Sequence, residues 1–315
     1  MGALPNGGNN AFNTAMGFDA LLANDTGNFN VAVGYSALKL NTAGVVNVAV
    51  GATALTNNTV GTNNIALADA LGGNTEGSSN IGVGSLALLA NQTGSSNVAL
   101  GREALRKNAS GSSNIALGYR AGFNVGQTGG GKSNGIFIGN LGVNEDENLI
   151  RLGTAGTHNK AFVAGISGVT TDVNDAVAVM VDSAGQLGVQ SSSLRYKFDV
   201  NPLADVNAML QTLRPVTFRY KQAQSGGQHP LQYGLIAEDV AETFPDLAVF
   251  KNGQAETVKY HLLPSFLLAG YQAQQTTIAA QADELRLQKA VNASLEARLS
   301  RLEAAMPQAK AAALR

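Results

Sequence analysis

Residues 30–51 read NVAVGYSALKLNTAGVVNVAVG, and this stretch begins and ends with the same unit, Asn-Val-Ala-Val-Gly, 17 residues apart. Seven units of the general form Asn-x-Ala-apolar-Gly occur in the first part of the chain. They begin at Asn13, Asn30, Asn47, Asn64, Asn80, Asn97 and Asn114. Two units depart from the pattern, since Ala68 replaces the glycine of the fourth and Gly82 the alanine of the fifth. A fixed period of this length is typical of a repeat architecture.

Each repeat contains a second apolar segment and two turns. A small-apolar pair such as Ala37-Leu38 follows the first segment, and an asparagine with glycine three residues later, such as Asn41 and Gly44, follows the pair. Glycine and asparagine accept the positive φ of tight turns. Short alternating segments favour strands, and a strand of four or five residues spans only about 15 Å. Stacked turns would give each strand neighbours above and below, so the repeats predict a parallel β-solenoid or β-roll.

Tandem helical repeats are the structural alternative. The chain has 37 glycines, of which 32 precede residue 191. Each glycine inside a helix costs about 1 kcal/mol relative to alanine, which disfavours this alternative. The solenoid has two functional interpretations: a stiff rod without a binding role, which is favoured, and a rod whose exposed Asn, Ser and Thr side chains bind sugars.

Composition and charge exclude several classes of protein. The 315-residue chain has no cysteine, which excludes disulfides and thiolate metal sites, and no metal or cofactor motif stands out. A net charge of −1 gives no electrostatic footprint for nucleic acid. No apolar run reaches the roughly 20 residues that span a bilayer. Residues 1–8 lack the charged and apolar regions of a signal peptide, so we expect no Sec-type export and no membrane insertion.

Residues 13–122 resemble the head repeats of trimeric autotransporter adhesins. The resemblance rests on the Asn-x-Ala-apolar-Gly units and their spacing. It implies a left-handed parallel β-roll that packs as a trimer. The repeat here is longer than the commonest one in those heads, and the family's secretion signal and membrane barrel do not occur in this sequence. A surface-anchored autotransporter is therefore not the expected protein.

Four regions are predicted. Residues 1–128 form the β-roll rod, and residues 129–191 form an irregular β connector that starts with a flexible joint, Gly129-Gly130-Gly131. Its strand-like segments are 135–139, 148–153, 161–164 and 176–181, with a turn at 182–185. Residues 192–262 form a small α+β domain, and residues 263–315 form a coiled coil and tail. The fold class is thus mainly β, with about seven 17-residue repeats ahead of an α+β domain and a trimeric coiled coil.

The α+β signals follow in a definite order. Asn201-Pro202 predicts a helix start, with Asn as N-cap, Pro at the first helical position and an end near Leu213. Strands are expected at 216–221 and 233–236, followed by a helix over 237–244. Asn252-Gly253 predicts a hairpin between 247–251 and 255–260.

A heptad pattern runs through the last predicted helix, from about Leu262 to Met306. Position a holds Tyr271, Ile278, Leu285, Asn292 and Leu299, and position d holds Leu267, Gln274, Gln281, Gln288, Leu295 and Leu302. This seven-residue repeat is typical of a coiled coil, and its polar members specify register and strand number. A surface helix with scattered apolar residues is the alternative.

Residues 191–305 resemble a second family, the C-terminal intramolecular chaperone domain of phage endosialidases and tail fibres. The resemblance rests on Ser-Ser-Leu-Arg-Tyr-Lys at 192–197, Leu-Arg-Pro-Val-Thr-Phe-Arg-Tyr at 213–220 and Tyr-Gly-Leu-Ile-Ala-Glu-Asp-Val at 233–240. It implies a domain that trimerises through its coiled coil, helps the upstream fibre to fold, and then severs itself by a Ser–Lys mechanism.

By this resemblance, Ser192 is the nucleophile, Lys197 is its general base, and the scissile bond joins Ser191 to Ser192. A serine hydroxyl needs a base to take its proton, and a lysine serves only when neutral, which burial or nearby positive charge favours. Ser193 and Arg195 are supporting residues in this interpretation. Arg195 supplies positive charge or binds a carboxylate. Ser192 attacks the preceding carbonyl in an N-to-O acyl shift or acts on a neighbouring chain, and the sequence does not separate the two.

Other polar residues give weaker indications of a functional site. Glu238 and Asp239 are expected to open a helix, with a paired-carboxylate site as the sharper alternative. His158, His229 and His261 have no ligand spacing, so we interpret them as structural or exposed.

The predicted protein is a homotrimeric phage or prophage tail fibre of the virion, assembled in the bacterial cytoplasm, whose chaperone is released by single-turnover autoproteolysis. Its expected partners are a host-surface glycan or another receptor and a baseplate or fibre adaptor protein. An adhesive or structural trimer that keeps its C-terminal domain is the alternative.

Overall fold

The computed structural model describes residues 12–127, 130–203, 206–223 and 227–312, without the side chains of 304–312. Of the predicted joint Gly129-Gly130-Gly131, Gly129 lies outside these residues, and the backbone N–H of Gly131 donates to Ser110 Oγ at 2.9 Å. The chain divides into two compact units, Met1–Asp172 and Val173–Arg315, and each is described below by itself.

The described residues of the first unit form a parallel β-solenoid of nine strands, which confirms the predicted fold. Each strand pairs with the next one along the chain in a single sheet. The strands are β1 Thr14–Met16, β2 Val31–Val33, β3 Val48–Val50, β4 Ile65–Leu67, β5 Ile81–Val83, β6 Val98–Leu100, β7 Ile115–Leu117, β8 Ile136–Ile138 and β9 Ile150–Leu152. They are only three residues long, shorter than expected, because turns occupy most of each repeat.

The 17-residue period places equivalent residues directly above one another. Ala32, for example, pairs with Ala49, and Ala49 pairs with Ala66. The central residue of these strands points inward and is fully buried, while its neighbours remain partly or fully exposed. The second apolar segment contributes Leu38 and its equivalents, which are also fully buried. In most turns, a small alanine and a leucine therefore fill a narrow core.

The repeated asparagines lie inside the solenoid, which corrects their predicted role as positive-φ turn residues. Two columns of asparagine side chains run along the axis and are buried. In one column, the Asn41 Nδ2 donates to Asn24 Oδ1 at 2.7 Å and to the Gly44 carbonyl at 3.0 Å. The columns satisfy polar groups that the turns would otherwise bury unpaired. Leucines such as Leu38, with φ of 51°, adopt the left-handed conformation instead.

Two glycine positions are explained by close approach and by backbone conformation. A Cβ at Gly44 would lie 2.4 Å from both Asn41 Oδ1 and the Gly61 carbonyl oxygen. Gly51 combines a φ of +135° with a similar clash, since its Cβ would meet the Ala68 carbonyl at 2.4 Å. A side chain at Gly44 or Gly51 would therefore push the adjacent turn away.

The sheet continues beyond residue 128, where the sequence period is lost. The intervals to β8 and β9 are 21 and 14 residues, yet both strands add to the sheet in parallel. Fully buried Phe137 replaces the inward alanine at β8. Asp146 is 3% exposed and binds Arg151 through two contacts of 2.6 Å, which anchor the turn before β9.

The rest of the predicted connector contains less strand than expected. Residues 161–164 form no strand, and the strand predicted at 176–181 is reduced to β10, Met180–Val181. It pairs antiparallel with β11, Leu187–Gly188, around the predicted turn. Side chains of 157–179 are exposed, so in this part of the single chain alternating apolar residues have no core to pack on.

The second unit contains the small α and β elements that the sequence predicts. They are α1 Asn207–Thr212, β12 Val216–Phe218, β13 Gln232–Gly234, α2 Ala237–Thr243, β14 Ala248–Lys251 and β15 Gln254–Val258. Strands β12 and β13 pair antiparallel, as do β14 and β15, the predicted hairpin. The predicted helix start at Asn201 is wrong, because residues 201–203 are not helical. The helix begins instead at Asn207, and Met209 within it and Leu213 directly after it pack on a core.

That core is small. It consists of Val240, Phe244, Leu247, Ala248 and Val258. The Phe244 ring meets Phe266 edge to face, with ring centroids 4.7 Å apart. Phe266 belongs to α3, Leu263–Ala312, so this contact joins the long helix to the α+β elements.

Helix α3 confirms the predicted long C-terminal helix. Beyond its first turns, the apolar a and d residues are more than half exposed, for example Leu285 at 54% and Leu295 at 53%. The single chain therefore leaves the heptad stripe uncovered. In the described part of the chain, no helix is long and apolar enough to cross a membrane.

Candidate functional site

The seam, residues 191–197, is folded around one short 3-10 helix, Leu194–Tyr196. Ser193 caps it, since its Oγ accepts hydrogen bonds from the Arg195 backbone N–H at 3.4 Å and from Arg195 Nε at 3.2 Å. The backbone N–H of Lys197 donates to the Leu194 carbonyl at 3.1 Å and closes the turn. The sequence folds this way locally because serine favours caps, where its hydroxyl satisfies free N–H groups.

The two predicted catalytic side chains are exposed in the single chain. Neither the Ser192 hydroxyl nor the Lys197 ammonium makes a hydrogen bond or an ion pair with any described residue. Ser191, on the other side of the predicted scissile bond, is exposed as well. The tight turn thus keeps the predicted scissile bond accessible, but it does not bring the predicted nucleophile and the predicted base into hydrogen-bond contact.

Arg195, one of the predicted supporting residues, is turned back on the seam. Its Nε is bonded to Ser193, and its guanidinium carbon lies 5.5 Å from the centre of the Tyr196 ring. No ion pair joins this guanidinium to a carboxylate among the described residues. The structure therefore brings Ser193 and Arg195 together and leaves Ser192 and Lys197 apart from them.

A row of large apolar side chains follows Ser192 and is exposed. We call it the seam stripe: Leu194, Tyr196, Phe198 and Val200. These four are 71%, 70%, 94% and 63% exposed, and they occupy every second position. Burying a large apolar side chain is worth about 1.5–3 kcal/mol, so an exposed row of four is a marker of a contact surface.

The remaining polar candidates take structural positions. Asp239 lies in the first turn of α2, and its Oδ2 is 2.7 Å from Arg214. The Nδ1 of His158 accepts the backbone N–H of Thr154 at 2.8 Å, and the Nδ1 of His229 lies 2.7 Å from the Tyr220 carbonyl. Within the described ranges, no three His, Asp or Glu side chains are grouped to hold a metal ion.

One polar cluster was missed by sequence reasoning. Glu103 is 7% exposed and lies among the guanidinium groups of Arg102, Arg106 and Arg120. The signal that would have found it is the repeat itself, because residues 17 apart are neighbours in adjacent turns. Glu103 and Arg120 are such a pair.

Comparisons with known proteins concern the second unit. Residues 192–249 match the family model described as the chaperone of endosialidase. The matched segment contains all the predicted residues of the seam except Ser191, and it ends within β14. The chain has no match among the curated proteins and none among the solved structures.

Proposed function

We propose that the chain is a homotrimeric tail-fibre protein of a phage or prophage, and that its C-terminal domain is a folding chaperone released by a cut between Ser191 and Ser192. The observation that carries the proposal is the family match, which begins at Ser192, the residue proposed as nucleophile. In this proposal the rod comprises residues 1–128, the connector 129–191, the chaperone 192–262 and the coiled coil 263–315.

The exposed heptad stripe of α3 supports the trimer. Heptad position a holds an apolar side chain in each heptad except the one with Asn292. These apolar side chains are more than half exposed: Tyr271, Ile278, Leu285 and Leu299. A helix with such a stripe buries it against copies of itself. Three joined chains would also bring the seam stripes and the exposed connectors of residues 157–179 close to partners.

A chaperone of this kind suits the solenoid. Its sheet is built from non-local pairs, since every strand contacts a strand about 17 residues away, and among the described residues β1 is an edge strand. Non-local pairing is slow, and open edges expose unfolded chains to aggregation. A helix forms locally and fast, and its association raises the effective concentration of three chains. The coiled coil would thus set the register before the rod forms.

The proposed cleavage reaction requires only Ser192, Lys197 and water, and no cofactor. Ser192 Oγ forms a bond to the Ser191 carbonyl carbon while Lys197 accepts the hydroxyl proton. The C–N bond then breaks, and the Ser192 nitrogen leaves as an amine with a proton returned from Lys197. Water hydrolyses the ester and leaves a Ser191 carboxylate and a free Ser192 hydroxyl. The same chemistry applies when Ser192 acts on a neighbouring chain.

Trimer formation would bury the Lys197 side chain, which is exposed in the single chain. Burial favours the neutral form of a lysine, and only the neutral form accepts a proton. Lys197 is not a member of the seam stripe, but it stands in the sequence between two members, Tyr196 and Phe198. Packing of the whole segment 194–200 among three copies would remove Lys197 from water and restrict the cut to assembled trimers.

The test compares wild type with Ser192→Ala and, as a matched control, Ser191→Ala. Intact mass and denaturing gels would follow cleavage, and light scattering would give the oligomeric state. We expect fragments 1–191 and 192–315 from wild type and from Ser191→Ala, and one full-length chain from Ser192→Ala. A wild-type trimer that stays whole would remove the cut and leave the adhesive or structural trimer with a retained C-terminal domain.

A further inference from the structure

The basic residues of the solenoid unit are concentrated in one place. Of the eight Lys and Arg residues in 1–172, five lie between Arg102 and Lys132, with Glu103 as the single acid in that interval. Residues 12–100 contain one basic and four acidic residues. The solenoid is therefore weakly acidic along most of its repeats and strongly basic near their end.

Four of these cations form one group, which we call the Glu103 cluster: Arg102, Glu103, Arg106, Lys107 and Arg120, with Tyr119 and Phe123. The repeat register builds it, because Arg102 lies beside Tyr119, Glu103 beside Arg120, and Arg106 beside Phe123 in the next turn. The backbone bond from Arg120 N to Arg102 O at 2.9 Å fixes these pairs.

Phe123 makes cation–π contacts with two of these side chains. Its ring lies 4.0 Å from the Arg120 guanidinium carbon and 4.4 Å from the Lys107 ammonium nitrogen. A cation close to an aromatic ring face is attracted by the negative face of the ring. Phe123 is 7% exposed, so its ring is buried beneath the cationic side chains. The cluster is thus ordered before any ligand arrives.

Glu103 does not satisfy the three guanidinium groups. Its contacts to Arg102, Arg106 and Arg120 measure 3.5, 3.7 and 3.3 Å. These are longer than the usual 2.7–2.9 Å of a charge-assisted hydrogen bond. The closed pair of Asp146 and Arg151, at 2.6 Å, shows the contrast. Four cations against one carboxylate also leave a net charge of +3.

The cations are reachable from solvent. The side chains of Arg102, Arg106 and Arg120 are 63%, 38% and 37% exposed. Tyr119 beside them is 64% exposed, so one face of an aromatic ring borders the charges. A guanidinium fork binds carboxylate, phosphate or sulfate oxygens in pairs, and a flat ring offers a surface for the C–H face of a sugar.

We propose that the Glu103 cluster binds the oxyanion groups of an acidic glycan. The cluster is confined to two adjacent turns, whereas a nucleic acid requires a continuous basic track, which the acidic turns before it do not provide. Uncharged Ser, Thr and Asn side chains line the neighbouring turns and suit sugar hydroxyls. This inference rests on the solenoid alone and does not depend on the chaperone or the cut.

The test measures binding of the full chain to polygalacturonate, which carries carboxylates, to heparin, which adds sulfates, to neutral dextran and to duplex DNA. The variant Arg102→Gln/Arg106→Gln is compared with Lys39→Gln/Lys160→Gln, which removes the same charge outside the cluster. We expect binding to at least one acidic glycan that is at least about tenfold weaker in the first variant and changed less than about twofold in the control. Which acidic glycan binds tighter identifies the anion.

Several results would overturn the proposal: no binding to either acidic glycan, equal binding to dextran, tighter binding to DNA, or equal losses in both double variants. Circular dichroism of each variant checks its fold. Arg102→Gln alone, at the most exposed of the three arginines, serves if the double variant misfolds. Binding by wild type must also weaken with added salt, and a salt-independent affinity would refute a charge-based site.

Discussion

The buried asparagine columns are predicted to stabilise the solenoid, and two adjacent asparagines, one buried and one exposed, provide a test variant and its matched control. Asn58 is fully buried in one column, and its neighbour Asn57 is exposed. Replacing each with alanine removes the same atoms from the same turn. Neither residue has a positive φ, so alanine adds no backbone strain at either position.

The magnitude follows from the contacts of Asn58. Its Nδ2 donates to Asn41 Oδ1 at 2.8 Å and to the Gly61 carbonyl at 3.0 Å, and its Oδ1 accepts from Asn74 Nδ2 at 2.7 Å. At about 1 kcal/mol net for each bond, Asn58→Ala should lower the free energy of unfolding by about 3 kcal/mol. The Gly61 carbonyl keeps its bond from Asn47, whereas Asn41 Oδ1 loses the donor that it has in wild type.

The assay is urea unfolding followed by far-ultraviolet circular dichroism, at one protein concentration and in a Ser192→Ala background. Asn57→Ala should change the free energy of unfolding by less than about 0.5 kcal/mol, as exposed substitutions usually do. The slope against urea should stay constant, so that the midpoint reports stability. A difference between the two variants below about 1 kcal/mol would refute the idea that the columns stabilise the solenoid.

Two further predictions concern the coiled coil and an ion pair. Leu285→Asp at heptad position a should abolish the trimer in light scattering, while Leu287→Asp, two residues away at position c and 65% exposed, should preserve it; equal effects would contradict the heptad assignment. The pKa of Lys39 is raised above its ordinary 10.5, first because its ammonium donates a hydrogen bond to the Asp19 carboxylate 2.8 Å away. The pair's stabilisation is therefore present below pH 10.5 and is lost as pH rises through the folded value. Asp19→Asn should bring the Lys39 pKa back towards 10.5 in an NMR titration, and an unchanged titration would show that the pair does not form in solution.

Local rules predicted those elements whose signals lie within a few residues. Asn252-Gly253 predicted the hairpin, and both residues adopt the positive φ that such a turn needs. The same kind of rule failed at Asn201-Pro202, where a cap signal precedes no helix. Helix α1 begins later because Met209 and Leu213 gain a core there, and packing outweighs a cap worth about 1 kcal/mol.

The candidate site shows the same limit. The residues of the seam were identified from sequence, by resemblance, but whether Ser192 and Lys197 meet depends on surfaces that a single chain leaves open. The Glu103 cluster was missed because the sequence separates its members by up to 21 residues. Charge patterning along the chain does not show that Arg120 lies over Phe123.

The sequence by itself determined the solenoid, its period and the long helix, because a repeated pattern of small apolar residues has few ways to bury itself. Only the tertiary structure decided which way the asparagines face and which charges meet. Stacked turns place each residue on the one 17 positions earlier in the sequence, so the inside of the rod and its ion cluster exist only once neighbouring turns are in register. In that register, the asparagines that the sequence placed in turns form a buried column of hydrogen bonds.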